Sequence, residues 1–101
     1  MNLNRNSLMD ELVPTEFYLS QNYPNPFREK TVIKYCIAYK TKVTLKVFDP
    51  EGKMIKILLD EETEAGTYEV EFNASELQEG NYIYQFQAGD FFSIKKMILL
   101  R

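Results

Sequence analysis

The sequence predicts an all-β domain, an immunoglobulin-like sandwich of about seven antiparallel strands in two sheets. Three observations predict it. Apolar and polar residues alternate with period two in four separate runs, the glycines and prolines fall between runs, and turn-forming residues recur at intervals of roughly 8–12 residues. With 101 residues, 45% of them hydrophobic and 14% aromatic, the chain has material for one core and no room for a second domain.

The first element is polar. Met1 to Val13 carries no apolar stretch of roughly 7–15 residues such as a signal peptide needs, so residues 1–13 are expected to be a mobile segment or linker. A turn or two of helix around Leu8 to Leu12 is the most it supports. Without a leader the chain is expected either as the tail of a longer precursor or, if complete, as a short cytoplasmic protein. The folded domain is expected over residues 14–101.

A stiff corner comes next. In Tyr23-Pro24-Asn25-Pro26-Phe27 two prolines bracket an asparagine, removing two backbone donors and disfavouring helix at the residue before each. Such a segment does not sit inside a central strand. Tyr23 and Phe27 are expected to pack like clamps against the sandwich, with the Asn25 amide bonding nearby backbone. Stabilising the corner is the favoured role, and recognition by a partner is the alternative.

Four runs then define the core. Ile33, Tyr35 and Ile37 alternate with Lys34 and Cys36; Val43, Leu45 and Val47 alternate with Thr44 and Lys46. Tyr68, Val70 and Phe72 alternate with glutamates, and Tyr82, Tyr84 and Phe86 complete the set. Asp49-Pro50-Glu51-Gly52 fits a type I turn joining strands near 42–48 and 53–59, and Ala88-Gly89-Asp90 fits a second hairpin. Between them, Asn73-Ala74-Ser75-Glu76-Leu77 breaks the alternation and offers Asn73 and Ser75 as caps for one helical turn.

The last strand is ambiguous. Phe92, Ile94, Ile98 and Leu100 lie on one parity with Lys96 intruding, and Phe91, Met97 and Leu99 lie on the other. A bulge near Lys95-Lys96 is expected to resolve the conflict. The strand is either buried on both faces or an edge that offers backbone groups to another protein.

Composition excludes several functions. A formal charge of −3 argues against binding to nucleic acid, and the apolar runs are far shorter than the roughly 20 residues that cross a bilayer. Histidine is absent, Cys36 has no partner for an internal disulfide, and Lys34 beside it is a weak activator, so no catalytic residues are expected. Asp60-Glu61-Glu62-Thr63-Glu64 lacks the spacing of a calcium loop and reads as a solvated loop, with calcium binding left open. Glu69 and Glu71 face solvent and lack the contrasting environments of an acid–base pair. Most tyrosines fall on the buried period, leaving Tyr18 and Tyr39 for display. No cofactor and no metal site is expected.

The residues also carry a family resemblance. Leu19-Ser20-Gln21-Asn22-Tyr23-Pro24-Asn25-Pro26-Phe27, then Thr31-Val32-Ile33-Lys34-Tyr35, resembles the opening of the C-terminal sorting domain of the type IX secretion system, in its Tyr-Pro-Asn-Pro-Phe subtype. Val43 to Asp49 with Gly52, Ala65-Gly66-Thr67-Tyr68, Gly80-Asn81-Tyr82-Ile83-Tyr84 and Lys95 to Arg101 keep step with it. The chain departs at Arg28-Glu29 and at Pro50. The resemblance spans residues 14–101, and a related immunoglobulin-like domain occurs in the flagellar hook-capping protein.

The resemblance implies a non-catalytic address that directs a cargo protein, fused upstream, across the outer membrane. Its implied partners are the type IX translocon and the machinery that processes cargo. Recognition is implied to lie in Lys95, Lys96, Met97, Ile98, Leu99 and Leu100, and the destination is the cell surface or the medium. The alternative function is a structural or adhesive module that assembles with copies of itself, or with another domain, through exposed sheet edges.

Overall fold

Side-chain parity sets the layers of this domain. The structure, a computed structural model, describes residues 14–101. The linker expected over residues 1–13, with any helical turn around Leu8, lies outside the described residues. Seven strands follow in order: β1 (Tyr18–Leu19), β2 (Lys30–Ile37), β3 (Thr41–Phe48), β4 (Met54–Thr63), β5 (Gly66–Asn73), β6 (Gly80–Ala88) and β7 (Phe91–Leu99). All pairings between strands are antiparallel. A three-stranded sheet in the order β1-β2-β5 faces a four-stranded sheet in the order β4-β3-β6-β7. This is the immunoglobulin-like sandwich that the alternation predicts.

The inward parity of each sheet builds one core. Of the twelve residues on the four alternating runs, Ile33, Tyr35, Ile37, Val43, Leu45, Val47, Phe72, Tyr82, Tyr84 and Phe86 are buried. Tyr68 and Val70 are partly buried and pack against the same cluster. Rings pack within and between the sheets: Tyr35 of β2 stacks on its cross-strand neighbour Tyr68 of β5 at 5.3 Å and meets Phe86 of β6, in the facing sheet, at 5.5 Å. Full burial of such side chains contributes about 1.5–3 kcal/mol each, so the core is the main source of stability. A further tie comes from Tyr82, whose hydroxyl donates to the Gln78 carbonyl at 2.6 Å, four residues upstream. That is the tyrosine corner of immunoglobulin-like sandwiches.

Turn chemistry fixes the hairpins. The Gly52 amide donates to the Asp49 carbonyl at 2.9 Å, and Asp49 Oδ1 accepts from the amides of Glu51 and Lys53, both at 2.9 Å. Gly52 has φ +89°, the left-handed residue that closes a three-residue loop built on a type I turn. In the β6–β7 hairpin Ala88 pairs with Phe91 across two residues, and Gly89 alone has positive φ, as a type II′ turn requires.

Four local expectations need correction. The acidic run is not a loop: Asp60 to Thr63 belong to β4, paired with Thr44 to Thr41 of β3, and Lys42 bridges Asp60 at 3.2 Å. Cross-strand charge pairing accounts for the acids at that edge. The β6–β7 register runs unbroken from Ala88↔Phe91 to Gly80↔Leu99, so no bulge occurs at Lys95-Lys96. Bulges fall instead in β4, where Leu58 and Ile55 are extra residues and where Ile55, Leu58 and Leu59 all reach the core. Residues 73–77 form a turn rather than a helical turn: Asn73 Oδ1 accepts the Ser75 amide at 2.9 Å, and Leu77 N donates to Ala74 O at 3.0 Å. Finally, Tyr23 is 80% exposed and clamps nothing, whereas Phe27 is buried.

Candidate functional site

The proline corner and the terminal strand form one unit. Both X-Pro bonds of the corner, Tyr23-Pro24 and Asn25-Pro26, are cis. Beneath them a buried polar network holds the segment: the Asn22 amide donates to Thr31 Oγ1 at 2.9 Å and to Pro24 O at 3.1 Å, while the Thr31 hydroxyl donates to Pro24 O at 2.8 Å. Asn22 and Thr31 are both buried, and every buried polar side-chain atom among the described residues has a partner. A satisfied network of this kind fixes one geometry. Tyr23 exchanges backbone bonds with Val32, each 2.9 Å, which anchors the corner to β2.

From that anchor the corner reaches across to the far edge of the other sheet. Phe27 bridges Leu99 in the parallel sense: Phe27 N donates to Ile98 O at 2.9 Å, and Leu100 N donates to Phe27 O at 2.8 Å. Asn25 Oδ1 accepts the Ile98 amide at 2.8 Å, and Gln21 Nε2 donates to Lys96 O at 2.6 Å. The second half of the β7 edge is therefore covered by the chain's own corner. The Phe27 ring meets Phe72 of β5 at 6.3 Å, so one residue ties the terminal strand to the opposite sheet.

The last residue closes the unit. Arg101 Nε donates to Leu77 O at 3.0 Å, and its terminal nitrogens donate to the carbonyls of Arg28, Ala74 and Leu77. A planar fork with five donors suits a cup of carbonyls in a way that lysine does not. Tyr84 adds a buried strut, its hydroxyl donating to Ser20 O at 2.7 Å. Burial pushes the Tyr84 phenol up to about 12, with a smaller upward push from Tyr18, against an opposing backbone hydrogen bond from Asn22. Tyr82 is also raised, first by burial and then by Asp49.

The structure divides the six terminal residues singled out from the sequence. Met97 and Leu99 point inward and are fully buried, so they belong to the core. Lys96 and Leu100 are exposed on the other parity, Ile98 is partly covered there, and Lys95 is half-buried on the inward parity. Among the described residues the ion pairs are Lys40–Glu64 and Lys42–Asp60, and neither Lys95 nor Lys96 takes part in one. Of the corner residues, Phe27 is buried while Tyr23, Pro24, Asn25 and Pro26 are exposed.

Sequence reasoning missed Gln21, Asn22, Thr31 and Arg101. Gln21-Asn22 ahead of two prolines is a legible signal for side chains that satisfy a corner's backbone, but nothing near Arg101 announces its carbonyl partners. Chemistry elsewhere is sparse. Cys36 is half-buried with its sulfur 3.8 Å from Thr67 Oγ1. The cleft between the β3–β4 turn and the β5–β6 loop is lined by Asp49, Glu51, Glu76, Glu79 and Tyr82, with no nucleophile beside a base. No group of three or more metal-ligating side chains occurs among the described residues, and no helix there is long and apolar enough to cross a membrane.

Residues 21–100 match the family described as "Secretion system C-terminal sorting domain". No curated protein matches the chain. Among solved structures, dimeric latent PorU from Porphyromonas gingivalis is similar at 17% identity and a TM-score of 0.64, over 86% of this chain and 10% of that one. PorZ from the same organism, described as an essential surface component of the type-IX secretion system, is similar at 21% identity and a TM-score of 0.57, over 84% of this chain and 11% of that one. At these identities the likeness is one of fold. The chain spans about a tenth of the length of either structure.

Proposed function

The chain belongs to the family of secretion system C-terminal sorting domains, a family of signals rather than catalysts, and on that premise we propose how this member works. It is the address on a cargo protein fused upstream, read by the type IX translocon and carried to the cell surface or the medium. The domain itself catalyses nothing and holds no cofactor. The observation that carries this reading is the family match over residues 21–100, which takes in both the proline corner and the strand it covers.

Within that reading the two motifs divide the labour. The corner is structural: its backbone and the Gln21 and Asn25 side chains hold β7 in place. The outward and rim side chains of the terminal strand, Lys95, Lys96, Ile98 and Leu100, are the part presented to the machinery. Met97 and Leu99 contribute by keeping the strand folded onto the core. A rigid display suits a signal, because a preorganised surface loses little entropy when it is bound.

The test is a fusion. Residues 14–101 are attached to a reporter that carries its own signal peptide, in a bacterium possessing the type IX machinery. The reporter is expected at the cell surface, and in the periplasm when the domain is left off or the translocon is deleted. A fused reporter that stays periplasmic in the intact strain refutes the assignment.

A further inference from the structure

The corner covers only half of the terminal strand's edge. Lys96 O, both backbone groups of Ile98, and Leu100 N all turn towards the corner. Backbone groups alternate sides along a strand, and the β6–β7 register has no shift. Phe92 and Ile94, with the amide of Lys96, therefore aim their backbone groups out of the same edge, where no other described segment bonds them.

The remaining edges are blunted. β4 carries two bulges and a run of acids, β1 is two residues long, and β5 alternates Glu69 and Glu71 along its outer face. The open half of β7 has no bulge and no proline, and its outward side chains Phe92 and Ile94 are 51% and 53% exposed. Lys96 continues that row and Lys95 lies beside it, both outside any ion pair among the described residues.

We infer that the segment Phe92–Lys96 is a strand-addition site for an extended segment of the export machinery, with apolar residues at alternate positions and carboxylates at the end that meets the lysines. The inference rests on the sorting reading and gives it a partner chemistry. Backbone bonds to Phe92 and Ile94 supply affinity, apolar side chains of the added strand cover those of Phe92 and Ile94, and acids opposite Lys95 and Lys96 set polarity. A second copy of this chain is the competing occupant: antiparallel self-pairing centred on Ser93 sets Phe92 opposite Ile94 in both directions, but it brings Phe91 rather than a carboxylate opposite Lys95.

The probe is a short peptide of alternating valine and threonine that ends in two adjacent glutamates, titrated into the full isotope-labelled chain. In the free chain the amides of Phe92 and Ile94 are expected to exchange rapidly with solvent, and the peptide is expected to shift the signals of Phe92 to Lys96 and to slow that exchange. Ile94→Pro removes an outward amide at a position where an edge strand tolerates proline, and is expected to weaken binding about tenfold or more with the fold intact. Phe92→Pro, at the strand's first turn-proximal positions, gives the same reading if Ile94→Pro unfolds. Lys95→Ala with Lys96→Ala is expected to remove the salt dependence.

Slow exchange in the free chain, shifts centred on another surface, concentration-dependent dimers with Phe92 at their contact, or undiminished binding by both proline variants each overturn the site. The two readings fail separately. Peptide binding at this edge by a chain whose fused reporter is not exported leaves the strand-addition site standing and overturns the sorting assignment. Export of a reporter carrying folded Ile94→Pro at the wild-type level does the reverse.

Discussion

Asn25 holds Ile98 in place: its side-chain oxygen accepts the Ile98 amide at 2.8 Å across 73 positions of sequence. The contact is exposed, so water replaces it when the side chain is cut back. Asn25→Ala is expected to lower stability by about 1 kcal/mol, the net worth of one such hydrogen bond. Amide exchange at Ile98 should accelerate by more than exchange at Tyr84. Equal acceleration at both sites would mean that the corner does not hold the strand locally.

Arg101 makes a comparable tie at the other end of the unit. Its guanidinium bonds the carbonyls of Leu77, Ala74 and Arg28, joining the chain's last residue to the β5–β6 loop and to the corner. Arg101→Ala should cost about 1–2 kcal/mol in chemical denaturation, and Arg101→Lys should recover little of it, since an ammonium lacks the fork. Full recovery by lysine would reduce the contact to a matter of charge.

Tyr82 tests the layering. Tyr82→Ala empties a buried ring site and removes the bond to Gln78, which should cost about 3–5 kcal/mol. Tyr82→Phe keeps the ring and should cost about 1 kcal/mol. Glu69→Ala, on the exposed face of β5, should stay within about 0.5 kcal/mol. Matching denaturation midpoints for Tyr82→Ala and Glu69→Ala would contradict the face assignment.

Legibility in the sequence differed from element to element. The fold was legible, because Ile33-Tyr35-Ile37 and its counterparts alternate cleanly and the breakers fall between them. β4 was not, because Met54-Ile55-Lys56-Ile57-Leu58-Leu59 alternates only after two bulges are inserted, and bulges leave no signature in composition. The corner's stiffness was readable from its prolines, but its partner was not: the Asn25–Ile98 and Gln21–Lys96 bonds join segments more than 70 residues apart. For the same reason the terminal strand's open half could not be separated from its covered half before the corner was placed.

Alkaline titration probes the strut beneath the corner. The Tyr84 phenol is raised from 10.0 to about 12, mainly by burial, so folding favours its neutral form. The corresponding stability is fully present below pH 10 and is lost as pH rises through the folded value near 12. Tyr84→Phe should be less stable at neutral pH and should show a shallower decline between those limits. An unchanged slope would assign the alkaline transition to other groups.

The sorting assignment is tested most directly by surface delivery of the fused reporter bearing Lys95→Ala and Lys96→Ala. Truncation at Ser93 is a poor substitute, because it removes Met97 and Leu99 from the core and strips the corner of its partner strand. The double variant keeps the apolar strand and breaks no ion pair among the described residues, so its thermal stability should change little. Export should nevertheless fall by about tenfold, with folded reporter accumulating in the periplasm. Wild-type surface levels from the folded double variant would contradict the account, since the terminal lysines would then play no part in the address.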